Sequence, residues 1–286
     1  MKPQDAATPP DAIVAISSHV ARGTVGNRAS AHAIEALGHP VWSIPTVMLP
    51  WHPGQGPGTR AAWPDGSFSD LLSDLAGSDQ LREVGAVISG YLGSASQAEP
   101  IARLVHAAKA KRRAIYCCDP VIGNQRGRYV PEATAEAIRD VLVPLADIIT
   151  PNRFELSWLT DREVGPDHRE AVEIARSLPP PIVLITSARV EADEIDTLLV
   201  TPNSSFIARH RRIDAPNAGT GDLTAALFLA RVLEGEPPER ALRAAVAGAL
   251  EAVVAEAKLG ADELPLERIH PALRKPKAPV HIERLP

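Results

Sequence analysis

The chain has 286 residues, of which 45% are hydrophobic and 23% charged, and its formal net charge at pH 7 is −5. These proportions are typical of a globular protein, and the length allows one large domain or two small ones. The acidic balance, without a sustained run of one sign, argues against a nucleic-acid or membrane-surface partner, because such partners normally require a basic stripe.

Short β-branched runs alternate with longer helical patterns along the chain. In chain order, strands are predicted at 12–16, 41–47, 86–89, 114–118, 147–150, 182–186 and 197–201. Helices are predicted at 27–37, 69–75, 98–110, 131–143, 153–159, 169–178, 221–234 and 238–257. This alternation predicts a three-layer α/β/α sandwich with a mostly parallel central sheet, in which ligands bind at the carboxyl ends of the strands. With no internal repeat and no sharp change in composition, we expect one domain over 1–286, with loosely held termini at 1–10 and 274–286.

The only two cysteines, Cys117 and Cys118, are neighbours in a predicted strand. Adjacent side chains of a strand point to opposite faces, so we expect no disulfide, which fits a reducing compartment. The first ten residues lack the apolar core of a secretory signal, and no stretch approaches 18 apolar residues. A cytoplasmic location is therefore expected.

The sharpest local feature is the turn at 217–222, Asn-Ala-Gly-Thr-Gly-Asp, which leads directly into an apolar helix. The first amides of a helix lack partners within it and lie at its positive end, and glycines let an anion approach them closely. A carboxylate at Asp222 could accept the proton of an alcohol that attacks phosphorus. The alternative is that Asp222 only caps the helix. The chain contains no P-loop motif, so a nucleotide would be held in another way.

The run Gly219-Thr220-Gly221-Asp222 resembles the anion-hole signature of ribokinase-like kinases. Four further segments resemble those of the pyridoxal kinases: SSHVARGTVGNR at 17–28, SGYLGS at 89–94, CDPVIG at 118–123 and LADIITPNRFE at 145–155. All five segments occur in the order found in that family. The resemblance implies an ATP-dependent kinase that phosphorylates the 5′-hydroxymethyl group of pyridoxal, and that also accepts pyridoxine or pyridoxamine.

The resemblance also implies a role for individual residues. The catalytic set consists of a base and the amides that stabilise the transferring group: Asp222, Gly219, Thr220 and Gly221. The substrate contacts are Ser18, Val25, His52, Tyr91 and Asp222. The nucleotide contacts are Asp119, Thr150, Asn152, Thr186, Ser187, Gly219 and Gly221. The residues near Mg²⁺, a hard ion that prefers oxygen ligands, are Asp119 and Glu155.

Several of these residues also have simpler structural explanations. Ser18 would be a helix N-cap, and Tyr91 would be a core aromatic. Asn152 and Glu155 would form a capping box, which does not exclude a metal site. Thr186 and Ser187 would be an ordinary turn after a strand.

The sequence departs from the family pattern at three places. Pro53 stands where relatives have a threonine that contacts the substrate, and it has no hydroxyl or N–H to donate. The loop at 124–128 is short and basic, which predicts that Arg126 or Arg128 lies near a phosphate. Residues 217 and 218 stand where many relatives have apolar side chains, for which we have no physical explanation.

ATP, Mg²⁺, K⁺ and a homodimer are implied by the resemblance alone. The main alternatives are a kinase for another hydroxymethyl heterocycle, such as the thiamin pyrimidine precursor, or a sugar kinase. A further alternative is a catalytically weak protein that binds pyridoxal or nucleotide. The sequence leaves the preferred vitamer open.

Overall fold

The computed structural model describes residues 11–64, 66–216 and 218–286. The predicted loose segment at 1–10 and the unusual Asn217 lie outside the described residues. Within the described ranges, no helix is both long enough and apolar enough to cross a lipid bilayer.

Every strand and helix predicted from the sequence overlaps one in the structure. The strands are β1 (Ala12–Val20), β2 (Val41–Leu49), β3 (Ala61–Ala62), β4 (Val84–Ser89), β5 (Ile115–Cys118), β6 (Gly123–Asn124), β7 (Gly127–Arg128), β8 (Ile148–Ile149), β9 (Ile182–Val190), β10 (Glu194–Val200), β11 (Ser205–Arg211) and β12 (His281–Leu285). The helices are α1 (Asn27–Ala36), α2 (Ser67–Gly77), α3 (Ala98–Arg112), α4 (Glu132–Ala137), α5 (Arg153–Thr160), α6 (His168–Ala175), α7 (Thr220–Leu233), α8 (Pro238–Leu259) and α9 (Leu266–Arg274).

Ten strands form one sheet in the order β12-β11-β10-β9-β8-β5-β4-β1-β2-β3, and β6 and β7 form a separate hairpin. The six strands from β9 to β2 are parallel to their neighbours. Antiparallel strands extend both edges: β10, β11 and β12 on one side and β3 on the other. The predicted mostly parallel sheet is confirmed.

The sheet separates two apolar cores, each covered by helices. Val14 and Ile16 of β1 belong to the core that includes residues of α2 to α6. Ile13 and Ala15 of the same strand belong to the opposite core, which includes residues of α1, α7, α8 and α9. This alternation follows from the two-residue period of a strand, and it confirms the three-layer architecture.

The C-terminal segment is better ordered than the sequence predicted. The expectation of a loose tail at 274–286 is wrong for residues 281–285, because β12 pairs with β11 along its whole length. Ile282 and Leu285 pack against opposite cores. This strand cannot be recognised from its charged and proline-rich sequence, because the backbone hydrogen bonds of an edge strand require no particular side chains. The helix α9, which contains Pro271, and the strand β11 also went unpredicted.

Candidate active site

The carboxyl ends of the parallel strands bring the predicted site residues to one edge of the sheet. Ser18 lies near the end of β1, Tyr91 follows β4, Asp119 follows β5 and Thr150 follows β8. The start of α7 meets the same edge, since a Cβ atom at Gly90 would lie 3.7 Å from Oδ1 of Asp222. Residues far apart in sequence are thus gathered around the Gly-Thr-Gly-Asp turn.

The turn before α7 needs glycine at position 219. Gly219 is the N-cap of α7 and has a φ of +87°, and a Cβ atom there would lie 2.0 Å from the carbonyl oxygen of Thr24. At Gly221, by contrast, a Cβ atom would meet no atom of the described residues within 4 Å. The turn therefore packs against the β1–α1 loop on one side and is open on the other, where an anion can approach the first amides of the helix.

Asp222 is the third residue of α7 and is partly buried. It is not the N-cap of the helix, because that position is Gly219. Burial raises the pKa of Asp222 to about 6, and the backbone amides of Gly26 and of Asp222 itself oppose the rise by hydrogen bonding to the carboxylate. Such a carboxyl group is mostly ionised at pH 7, and its pKa is close to the value that suits a general base.

Asp119 is a second carboxylate near Asp222. Its side chain is buried, and the Thr150 hydroxyl donates a 2.7 Å hydrogen bond to Oδ1. Burial and the charge of Asp222 raise the pKa of Asp119 to about 7. Thr150, predicted as a nucleotide contact, is itself buried and orients Asp119.

Asn152 and Glu155 form the capping box that the sequence suggested at the start of α5. The Glu155 carboxylate also accepts hydrogen bonds from the amides of Ile122 and Gly123, at 3.0 and 3.3 Å. Burial and the charge of Asp119 raise the pKa of Glu155 to about 8, against the lowering effect of these amide donors. Glu155 therefore ties the β5–β6 connection to the strand-to-helix turn at β8–α5.

The described residues contain no group of three His, Cys, Asp or Glu side chains arranged to hold a metal. The charge of Asp119 nevertheless raises the pKa of Glu155, and a divalent cation held near both carboxylates would offset that repulsion. Carboxylate and amide oxygens are the ligands that Mg²⁺ prefers, often through water. The oxygens of Asp119, Asn152 and Glu155 fit such an ion.

Tyr91 is positioned by three residues that the sequence did not single out. Its amide donates to Ser17 Oγ at 3.0 Å, and its carbonyl accepts from Thr46 Oγ1 at 2.7 Å. Arg60 donates to the Tyr91 hydroxyl at 2.9 Å, and its guanidinium lies 5.5 Å from the ring centroid. Tyr91 also packs on the core. A structural role as a core aromatic is therefore compatible with its predicted role as a substrate contact. Arg60 lies in the connection between β2 and β3, where no pattern in the sequence marks it.

Ser18 and His52 lie on the same side of the site. Ser18 is buried within β1 and is therefore not a helix N-cap, and its Oγ would lie 2.5 Å from a Cβ atom at Gly26. His52 Nδ1 accepts from the amide of Gly54 at 3.1 Å. Burial lowers the pKa of His52, so the neutral ring carries its proton on Nε2. Val25 and His52 line one cavity of about 210 Å³.

The predicted nucleotide contacts Thr186 and Ser187 lie in an irregular part of β9. Ser187 has a φ of +48°, and the pairing of β9 with β10 shifts register at this point. Bulges of this kind are common beside active sites. The Thr186 amide bonds to Pro151 O at 2.9 Å, which places it next to Asn152. The two residues are thus part of a bulge, and not of a simple turn.

The short basic loop forms the β6–β7 hairpin. Gly123 accepts a 2.8 Å hydrogen bond from Asn152 Nδ2, so the hairpin begins beside the predicted metal residues. Arg126 is exposed, and Arg128 lies 3.5 Å from Glu132. Both arginines stand on a segment anchored at the site.

An α/β/α sandwich with a Gly-Thr-Gly-Asp turn at the strand carboxyl ends is the arrangement of the ribokinase-like kinases, and the comparisons with known proteins agree. The phosphomethylpyrimidine kinase family model matches residues 80–267. Pyridoxal kinase PdxY of Corynebacterium diphtheriae is 31% identical over 96% of this chain and 99% of its own. The pyridoxine/pyridoxal/pyridoxamine kinase of Bordetella avium is 36% identical over 81% of each chain.

A solved structure extends the likeness to three dimensions. Pyridoxal kinase from Leishmania donovani, in complex with ADP and pyridoxamine, matches with a TM-score of 0.89 and 26% identity over 96% of this chain and 100% of that one. The chain belongs to the pyridoxal kinase family.

Proposed function

We propose that this protein transfers the γ-phosphoryl group of ATP to the 5′-hydroxymethyl group of pyridoxal, giving pyridoxal 5′-phosphate and ADP. The observation that carries the proposal is the position of Asp222, a carboxylate with a pKa of about 6 in the first turn of α7, next to the open side of the glycine turn. The pyridoxal kinase of Leishmania donovani, solved with ADP and pyridoxamine, supports it.

In this mechanism Asp222 accepts the proton of the substrate hydroxyl as its oxygen bonds to the γ-phosphorus. The bond from that phosphorus to the bridging oxygen breaks, and ADP leaves with the electron pair. The amides of Gly219, Thr220 and Gly221 stabilise the charge on the transferring group, because they are oriented before the reaction begins. Ser18, Val25, His52 and Tyr91 hold the pyridine ring so that its alcohol faces Asp222.

The nucleotide would lie against the ends of β5, β8 and β9. Asp119, Asn152 and Glu155 would hold Mg²⁺ through its water ligands, and Thr186 and Ser187 would contact the phosphates. The ion supplies neutralisation of phosphate charge when it is bound. Thr150 would keep the Asp119 carboxylate in place for this role through their 2.7 Å hydrogen bond.

A decisive assay measures ADP release with pyridoxal as the acceptor. Asp222→Asn should still bind nucleotide and lose turnover by about 10²–10⁴-fold, the usual contribution of a general base. Asp70→Asn is a matched control, because Asp70 is an exposed carboxylate in the first turn of another helix, α2. Near-normal turnover of Asp222→Asn would refute the assignment of the base.

A second candidate is the phosphorylation of a hydroxymethylpyrimidine, which the family model matched at 80–267 favours. A panel of alcohols with ATP separates the two, since a pyrimidine kinase would release ADP faster with the pyrimidine than with any of the three vitamers. A protein that only binds these ligands would release ADP with none of them.

The family resemblance also leads us to expect a homodimer and activation by K⁺. Light scattering of the purified chain tests the first expectation. Turnover in KCl compared with NaCl at equal ionic strength tests the second.

A further inference from the structure

The cavity beside Val25 and His52 has a wall that comes from the C-terminal part of the chain. Its volume is about 210 Å³, and the loop between α8 and α9 contributes Asp262 and Glu263 to its lining. The β1–α1 loop contributes Thr24, and this loop also packs against the glycine turn. The cavity therefore borders the loop that packs on the glycine turn, and its lining includes two of the predicted substrate contacts, Val25 and His52.

Glu263 is fixed in this wall by two donors on different loops. Arg22 Nη1 and Gln55 Nε2 both donate to Glu263 Oε1, each at 3.0 Å. Arg22 also donates to Gln55 Oε1 at 2.9 Å and binds both oxygens of Asp262, at 2.8 and 3.0 Å. These four residues form a clasp that joins the β1–α1 loop, the segment after β2 and the α8–α9 loop.

The Glu263 carboxylate lies against the β1–α1 loop, since a Cβ atom at Gly23 would lie 2.9 Å from Oε2 and 3.0 Å from Oε1. Its two oxygens differ in their hydrogen bonds. Within the described part of the chain Oε2 accepts no hydrogen bond, because both side-chain donors use Oε1. The side chain is only 18% exposed, so this oxygen is available to a ligand group in a partly dehydrated place.

The charges of the clasp do not cancel. One guanidinium, that of Arg22, faces the two carboxylates of Asp262 and Glu263, which leaves one negative charge in excess. The described residues that line the cavity include no lysine or arginine. His52 does not supply a positive charge either, since burial lowers its pKa and Nδ1 accepts a hydrogen bond. The cavity therefore favours a cationic group.

We propose that Glu263 is a specificity-determining residue that favours the vitamer with a primary ammonium group, pyridoxamine, over the uncharged alcohol pyridoxine. The three vitamers share the ring and the reacting hydroxymethyl group and differ only in the substituent at the 4-position. A charge-assisted hydrogen bond from that ammonium to Glu263 Oε2 is about twice as strong as a neutral one. This inference rests on the proposed function and adds the choice among its substrates.

The test compares kcat/KM for pyridoxamine with kcat/KM for pyridoxine in the wild-type protein and in Glu263→Gln. Glutamine keeps an acceptor for Arg22 and Gln55 and removes the charge, so the ratio should fall about tenfold, which corresponds to about 1.4 kcal/mol. Glu267→Gln is the matched control, because Glu267 is exposed on α9 and does not line the cavity. Its ratio should equal that of the wild type.

Arg22→Gln separates charge from geometry. This variant removes the cation of the clasp but keeps both carboxylates, so the ratio should rise. A fall similar to that in Glu263→Gln would show that the clasp acts by holding the loops, and it would overturn the proposal. An unchanged ratio in Glu263→Gln would overturn it as well, whereas a wild-type protein that releases no ADP with any vitamer would refute the proposed function itself.

Discussion

Replacing Asp119 with asparagine should stabilise the ligand-free protein while impairing its activity. The side chain of Asp119 is buried near Asp222, and these surroundings raise its pKa from 3.8 to about 7. Each pKa unit corresponds to about 1.4 kcal/mol, so the ionised carboxylate destabilises the fold by up to about 4 kcal/mol above pH 7. Asparagine removes the charge and can still accept the hydrogen bond from Thr150.

The sign of the pH dependence follows from the raised pKa. The folded protein binds a proton at Asp119 more tightly than the unfolded chain does, so the wild type loses stability as the pH rises from about 4 to about 7. The advantage of Asp119→Asn should therefore grow by about 2.6 kcal/mol between pH 5 and pH 8, which is about 4–6 °C in Tm for a chain of this size.

The assay is urea or thermal unfolding of both proteins at pH 5 and pH 8, in EDTA and without nucleotide. Asp74→Asn serves as the control, because Asp74 is exposed on α2, and it should show no gain that depends on pH. An Asp119→Asn variant that is no more stable than the wild type at pH 8 would refute the reasoning. So would a gain of the same size at both pH values.

Three further predictions follow from the geometry of the site. Asp222 must be ionised to accept a proton, and its pKa is about 6. The value of kcat/KM for pyridoxal should therefore fall tenfold per pH unit below about pH 6 and level off above pH 7. A profile that is flat down to pH 5 would contradict this. Gly219→Ala should abolish turnover and destabilise the fold much more than Gly66→Ala, since both glycines have a positive φ but only the first would place Cβ 2.0 Å from a carbonyl oxygen. The backbone strain expected in Gly66→Ala is about 1–2 kcal/mol. Equal losses of unfolding free energy in the two variants would refute the argument. The double variant Arg126→Ala/Arg128→Ala should raise the KM for ATP several-fold, and an unchanged KM would show that the basic hairpin does not reach the phosphates.

Local patterns in the sequence predicted a large part of this fold. The alternation of β-branched runs with helical periodicity was sufficient for the parallel sheet and its two helical layers, because each strand and helix must bury its own apolar side chains. Prediction from side-chain patterns failed at β12, where the stabilising contacts are backbone hydrogen bonds to β11. Such bonds leave no pattern in the side chains.

The sequence by itself also located the glycine turn at 219–222 at the start of a helix, but it left open whether Asp222 is a base or only a helix cap. Only the tertiary structure decided what surrounds Asp222. Gly26 and Asp119 come from distant parts of the chain, and the pKa shifts in this cluster depend on distance and burial. Those quantities arise when the sheet brings strand ends together, so no local run of residues encodes them.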